Sequence, residues 1–409
     1  MRKKLKVGTL FSGIGAFETA LKQLGIPHEI KFACDNGEVE LVPLDVPERK
    51  EYKRLEKKLK ELDETEKERY TFLKGEIEGA VSHIRSRSMG LNSKVELHDY
   101  VSSVYKLYGA DKENAMRKTY EANYEIAPED FYTDVRFLNG AFYANNVDII
   151  VGGSPCQSFS TYGKKRGLED TRGTLFYDYA RLINEIQPKV FIYENVPGLL
   201  THDDTRTWHT MLDVWQSLGY VLRWDKLNSK DYNHPQNRIR LFLIGFREDV
   251  FKKEYKFPKK LPLTHVSSEF LEPSPVADKY YLGQKGFEWV TDKKKNQNKT
   301  RYNRDVIGCE TANQQFNWIG DLRVESPSKK HYDNPNIYIG QLNGEDAVAR
   351  MMTPRECLRL MGFDDSFNIV VSDKEAYRQA GNSIVVPVLK EIIKSILPYL
   401  SAFPSRNIR

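Results

Sequence analysis

Three short apolar runs constrain the fold of this chain more than any other feature: Val147-Asp148-Ile149-Ile150-Val151, Val190-Phe191-Ile192-Tyr193 and Leu241-Phe242-Leu243-Ile244. Runs of this length, rich in β-branched and aromatic residues, read as strands buried on both faces, the pattern of a sheet covered by helices on each side. Helical spacing near 175–186 and 205–218, with a further strand near 219–227, completes an α/β alternation. Each run also carries reactive residues at one end. The first leads into Ser154-Pro155-Cys156-Gln157, the second into Glu194-Asn195-Val196, and the third follows Gln236-Asn237-Arg238-Ile239-Arg240. Open α/β sheets bind ligands outside their strand ends, so a thiol, a carboxyl and a guanidinium are expected on one sheet edge.

The N-terminus repeats the theme. Leu5 to Phe11 reads as a strand, Ser12-Gly13-Ile14-Gly15 as a tight turn, Ala16 to Leu24 as a helix, and His28 to Ala33 as a second strand ending at Cys34-Asp35. Strand, glycine turn, helix, strand and terminal acid form a nucleotide-binding half, because glycines admit backbone amides to a ligand and the acid grips ribose hydroxyls. A nicotinamide dehydrogenase shares that turn, but it leaves Pro155-Cys156 and the Gln-x-Arg-x-Arg run without a role.

At 409 residues the chain is expected to form two domains. Its 40% apolar and 29% charged residues are those of an ordinary globular protein, and no apolar stretch approaches the roughly 20 residues that span a bilayer. Met1-Arg2-Lys3-Lys4 runs straight into a strand, which points to the cytoplasm. The cysteines Cys34, Cys156, Cys309 and Cys357 show no Cys-x-x-Cys, so no metal site and no disulfide framework is expected. A net charge of +5 is modest for a nucleic-acid partner, which makes the distribution of Lys and Arg matter more than the total.

Pro155-Cys156, Glu194-Asn195-Val196 and Gln236-x-Arg238-x-Arg240, in that order, resemble three signature motifs of the DNA (cytosine-5)-methyltransferases. Thr9 to Phe17 resembles that family's first, cofactor-binding motif, and Ala380 to Pro387 resembles its last. Gly163 to Phe176 is similar to the mobile catalytic loop of the bacterial restriction–modification type. The matching segments cover about residues 5–35, 113–247 and 350–398.

The resemblance implies a Rossmann-like S-adenosylmethionine-dependent sheet with a smaller, irregular target-recognition domain. Residues 1–249 and 350–409 would form the catalytic domain and 250–349 the recognition domain, which carries Lys clusters at 259–260, 293–295 and 329–330. The implied activity is sequence-specific methylation of C5 of a flipped-out cytosine in double-stranded DNA, through a covalent bond from Cys156 to C6. Glu194 would act at the ring's N3, and Arg240, with Arg238, at O2. S-adenosylmethionine would lie against Phe11, Ser12, Gly13, Ile14 and Gly15, with Asp35 on its ribose and Asp134 on its adenine amine. Pro155 and Leu175 would pack on it, and Asn382 with Ser383 would close the site. Ser158, Lys164, Lys165, Arg166, Arg172 and Gln236 would touch DNA. This type also implies a cognate restriction endonuclease that acts on the same sequence without direct contact. Three departures stand out: Thr9 where the family usually has Asp, Ala16 where a third Gly is common, and Asp35 where Glu is usual. A tRNA-directed relative shares the triad but has a much reduced target-reading region, and a catalytically silent DNA-binding protein would not need all three reactive residues.

In compact members a helix reading Thr-Tyr-x-x-Asn closely follows the ribose-side acid. Here that pattern is Thr119-Tyr120-Glu121-Ala122-Asn123, far downstream of Asp35, so residues of about 37–112 read as an insertion. Within it, Glu48 to Glu78 has helical spacing in two halves, and Thr65-Glu66-Lys67-Glu68 fits a capping box after a turn near Asp63. The expectation is an antiparallel helical hairpin, an accessory outside the chemistry.

Overall fold

In the computed structural model, which describes residues 4–155, 175–292, 294, 300–313, 315, 318 and 320–400, the three apolar runs lie together in one sheet. Its strands are β1 (Leu5–Leu10), β2 (His28–Cys34), β3 (Phe131–Tyr132), β4 (Ile149–Gly152), β5 (Val190–Asn195), β6 (Tyr220–Asn228) and β7 (Ile239–Arg247). Their order is β3-β2-β1-β4-β5-β7-β6, parallel except for β7, which runs antiparallel to both neighbours. Alternation sorts the side chains of each run to opposite faces. Val7, Ile149, Val151, Val190, Ile192 and Ile244 pack on one face with α1 (Ala16–Gln23) and the helices Pro354–Leu360 and Val386–Ile396. Ile150, Phe191, Tyr193, Leu241 and Leu243 pack on the other, against the later helices Leu175–Ile186 and Arg206–Ser217. Both helices fall where spacing placed them.

The insertion departs from expectation in extent. Helix α2 (Val46–Lys57) and helix α3 (Glu64–Met89) do form the antiparallel pair, joined by Arg54–Glu66 and Arg69–Glu51 ion pairs and by stacked Tyr52 and Tyr70 rings. The turn is where it was read, but Asp63 is the cap, its side chain accepting from the Glu66 amide at 2.8 Å. An acidic oxygen on the first turn satisfies an otherwise orphaned amide. Helix α3 then continues past Glu78, and a third helix, α4 (Lys94–Leu107), capped by Ser93, returns to the sheet. Leu97 of α4 is fully buried in the same core as Leu10, Phe32, Cys34 and Tyr132. Lys94 also pairs with Asp130 at 2.6 Å, and Arg85 with buried Asp178 at 3.3 Å. The apolar stripe read from sequence covered only the outer part; the part that docks lay beyond it.

Helices α5 (Ala115–Glu121), α6 (Leu175–Ile186) and α7 (Arg206–Ser217) precede β3, β5 and β6, and the chain leaves the sheet after β7. It builds α8 (Gln284–Thr291) and a second, four-stranded sheet in the order β10-β11-β9-β8, from β8 (Thr300–Tyr302), β9 (Gly320–Glu325), β10 (Gly340–Leu342) and β11 (Glu345–Arg350). Its own small core holds Leu282, Phe287, Val290, Leu322, Val324, Ala347 and Ala349. Thr353 and Pro354 then start the next helix as expected, with Thr353 and Glu356 forming a reciprocal cap. Among the described residues, no helix is long and apolar enough to cross a membrane.

Candidate active site and cofactor pocket

The sheet order reverses between β1 and β4, whose chain connections leave toward opposite edges, so a crevice opens beyond their C-terminal ends. On the β1 side the turn is tightly held. Phe11, Gly13 and Gly15 take left-handed conformations with φ of 53°, 53° and 77°, which only glycine adopts without strain. The Ser12 hydroxyl donates to the Thr9 carbonyl and accepts from the Cys34 amide, joining the ends of β1 and β2. Asp35 takes the Gly13 amide at 2.8 Å on one oxygen and the Gly37 amide at 2.8 Å on the other. Burial raises its pKa, against the pull of those two amides. No atom lies within 4 Å of where a Gly13 Cβ would sit, so the backbone there faces open space beside a carboxyl. That cradle fits the nucleoside of S-adenosylmethionine. Thr9, standing where an acid is usual, donates to buried Glu18 at 2.9 Å, and Tyr120 donates to the same carboxylate oxygen at 2.5 Å. Glu18 was not legible as part of this turn, because its place on a helix face gave no cue.

Asp134, expected on the adenine amine, is 7% exposed and already well partnered. Arg136 grips both of its oxygens, and the Tyr105 hydroxyl of α4 donates to Oδ2 at 3.1 Å. Asn114 donates to the Asp35 carbonyl at 2.7 Å. Leu175 opens α6, half-buried, and Pro155 is exposed at the end of β4. Asn382 is exposed, and Ser383 is buried with its carbonyl turned toward Arg238.

On the β4 side the chain passes between its neighbours with no room for side chains. A Cβ on Gly152 would lie 2.1 Å from the Leu10 carbonyl oxygen, and one on Gly153 would lie 2.0 Å from that of Glu194. Asn195 then pins the strand exit: its amide donates to the Ser154 carbonyl at 2.9 Å and to the Tyr193 hydroxyl at 3.1 Å, while Ser154 and Tyr193 share a 2.7 Å bond. Two residues before Cys156 the backbone is therefore fixed. Cys156 itself lies outside the described residues, as do Ser158, Lys164, Lys165, Arg166 and Arg172.

Glu194 and Arg240 are brought together. Their side chains form a 3.2 Å ion pair at the adjoining ends of β5 and β7, each about one-sixth exposed (17% and 18%). Burial raises the Glu194 pKa, opposed first by Arg240 and then by Arg238, so the carboxyl is poised to hold a proton more readily than an exposed one. Arg238 is elsewhere. It is 4% exposed and donates to the carbonyls of Glu310 at 2.6 Å, Gly381 at 2.9 Å and Ser383 at 2.8 Å, tying β7 to the last motif and to the strand-rich segment. Cys309 lies 3.3 Å from Arg238 and 3.7 Å from Arg240, a neighbour that nothing in its sequence surroundings announced. Gln236 corrects the expectation of a DNA contact: it is fully buried, and its amide donates to the Leu360 carbonyl at 2.7 Å and accepts from the Glu310 amide. A side chain so committed has no group left to offer a phosphate or base.

A parallel sheet with one reversed strand, β7, between β5 and β6, and a glycine turn with an acid at its switch point, fit the fold of the S-adenosylmethionine-dependent methyltransferases, with a Glu–Arg pair beside the exit of β4. Over residues 88–398 the sequence matches the C-5 cytosine-specific DNA methylase family. It is 35% identical over 309 residues to the Type II methyltransferase M.HpaII of Haemophilus parainfluenzae, covering 72% of this chain and 83% of that protein. It is 30% identical over 292 residues to M.HhaI of Haemophilus parahaemolyticus, covering 71% and 86%. In structure it is similar to a Spodoptera frugiperda DNMT2 variant, with a TM-score of 0.61 at 18% identity over 96% of this chain and 100% of that one. The chain belongs to the C-5 cytosine-specific DNA methylase family: it is a sequence-specific DNA (cytosine-5)-methyltransferase of the restriction–modification type and uses S-adenosylmethionine.

Proposed function

We propose that Cys156, Glu194 and Arg240 carry the reaction and that Arg238 positions them. The observation that supports this most is the Glu194–Arg240 ion pair, set beside a β4 exit that Asn195 fixes just ahead of Cys156. C5 of cytosine is a weak nucleophile. Addition of the Cys156 thiolate to C6 converts the ring into an enamine whose C5 forms a bond to an electrophilic methyl. S-adenosylmethionine, when bound, would supply that methyl from its sulfonium, the sulfur–methyl bond breaking as the carbon bond forms and S-adenosylhomocysteine leaving. A proton held by Glu194 at N3 stabilises the ring as C6 is attacked, which is the use of a carboxyl with a raised pKa. Arg240 donates to O2 and keeps Glu194 from losing its orientation. Loss of the C5 proton and expulsion of the thiolate then restore the aromatic ring.

The base reaches this crevice only by leaving the stack, at a cost of about a few kcal/mol. The segment from Ser158 to Gly173, with Lys164, Lys165, Arg166 and Arg172, has the glycines and cations of a loop that closes on phosphates. The unit built on the second sheet, within 250–349, reads the target sequence. Asp35 takes the ribose, Asp134 the adenine amine, with Phe11, Ser12, Ile14, Pro155 and Leu175 around them and Asn382 and Ser383 at the far wall. The enzyme works in the cytoplasm on double-stranded DNA, protecting sites that a companion endonuclease would cut. Expression in a methylation-free host followed by 5-methylcytosine sequencing tests this reading. One recurrent motif is expected, and exchange of 250–349 for a relative's segment should move it; an active chimera with an unchanged motif would place recognition elsewhere.

A further inference from the structure

The third helix of the insertion, and the chain that rejoins the core after it, each set one side chain against a residue assigned to the cofactor. Helix α4 brings the Tyr105 hydroxyl to Asp134, and the segment that follows brings the Asn114 amide to the Asp35 carbonyl. These are the two acids assigned to adenine and ribose. A cleft of about 260 Å³ opens between Asp134 and the insertion, lined by His98 and Tyr105 of α4, by Asn114, and by Thr133 and Asp134 after β3.

We propose that the insertion, with the segment that rejoins it to the core, is a working wall of the cofactor site, in which Tyr105 and Asn114 are positioning residues for S-adenosylmethionine. The inference rests on the assignment of Asp134 to the adenine amine and of Asp35 to the ribose. Arg136 lies in the same turn as Asp134 and moves with it, whereas Tyr105 ties the carboxylate to a separate element. Its ring is fixed: Tyr105 is 6% exposed in a cluster with Leu41, Ile84, Val104, Ala110 and Phe137, so its hydroxyl is a donor in a set place. Asn114 is held equally well, because its Oδ1 caps α5 by accepting from the Arg117 amide at 3.0 Å while Nδ2 reaches Asp35. A site whose polar groups are oriented before the ligand arrives loses less on binding it.

The test measures binding by calorimetry, with no turnover involved, using S-adenosylhomocysteine and S-inosylhomocysteine, which carries a carbonyl in place of the amine. The wild-type protein should prefer the adenine compound. Tyr105→Phe should weaken that compound roughly tenfold, the lower end of the effect of losing one hydrogen bond to a charged group, and leave the inosine compound unchanged, so that the preference narrows. Asn114→Asp keeps the cap oxygen but removes the donor to Asp35, and it should weaken both compounds alike. Leu107→Ser, on the same helix at a residue 76% exposed, should change neither. Melting curves establish that each variant is folded. If wild type shows no preference, the Asp134–amine assignment fails and the proposal falls with it. A wild-type preference that Tyr105→Phe leaves intact overturns the proposal alone. So does a tighter adenine complex in that variant, the result expected if Tyr105 competed with the amine for the carboxylate.

Discussion

Replacing Arg238 by Met separates a structural arginine from a chemical one. The guanidinium is 4% exposed and donates to three carbonyls, those of Glu310, Gly381 and Ser383, on two segments distant in sequence. Methionine fills much of the same volume, so the loss is mainly polar: three buried acceptors at roughly 1–1.5 kcal/mol each. Part is returned, because burial of the cation is itself unfavourable and lowers the Arg238 pKa. A net destabilisation of about 3 kcal/mol follows. At ~2.1 cal/mol/K per residue, 409 residues give an unfolding entropy near 0.9 kcal/mol/K, which translates to a drop of about 3–4 °C in the calorimetric midpoint. Arg240→Met, at a more exposed side chain, should melt within about 1 °C of wild type yet lose turnover. An Arg238→Met protein that melts normally, or an Arg240→Met protein that methylates normally, would refute the division of roles.

Glu310 is 3% exposed, and burial, opposed by a bond from Cys357, pushes its pKa up to about 8 from 4.5. A raised acid costs the fold nothing below 4.5 and progressively more as pH climbs to about 8, so Glu310→Gln should melt like wild type near pH 5 and above it at pH 8.5. An equal difference at both pH values would exclude that ionisation as the cause. Asn195→Ala frees the Ser154 carbonyl and should lower kcat about tenfold to a hundredfold through misplacement of Cys156, with cofactor affinity unchanged in calorimetry.

The sheet was legible because its strands announce themselves as apolar runs ending in unusual residues. Val190 to Tyr193 has no polar interruption, and both of its faces are covered, one by α6 and α7. The Glu194–Arg240 pair was legible for the same reason, since strand pairing puts Glu194 opposite Phe242, two residues from Arg240. Roles set by burial were not. Gln236 and Arg238 sit in a run that looks solvent-facing, and only the return of residues 307–310 beside 235–238 turns them inward. The docking of helix α4 is not legible in sequence, because Leu97 meets the sheet and Val104 and Tyr105 meet Leu41, Ile84 and Phe137 across a long excursion of chain, pairings that no local periodicity encodes. Asn195 showed as part of a motif, but its hydrogen bond to a carbonyl on the neighbouring strand needed the fold to reveal it.

The central claim is covalent catalysis by Cys156 with Glu194 at the ring. A duplex carrying 5-fluorocytosine at the methylated position tests it directly, because fluorine at C5 cannot leave as a proton does and the adduct is trapped after methyl transfer. Incubation with S-adenosylmethionine should give a denaturation-resistant protein–DNA band that maps to Cys156 by mass spectrometry. The band should be absent without cofactor, lost in Cys156→Ala, and formed about 10²–10⁴-fold more slowly in Glu194→Gln. An adduct that persists in Cys156→Ala, or a wild-type enzyme that methylates ordinary cytosine but never traps the fluorinated base, would contradict the account.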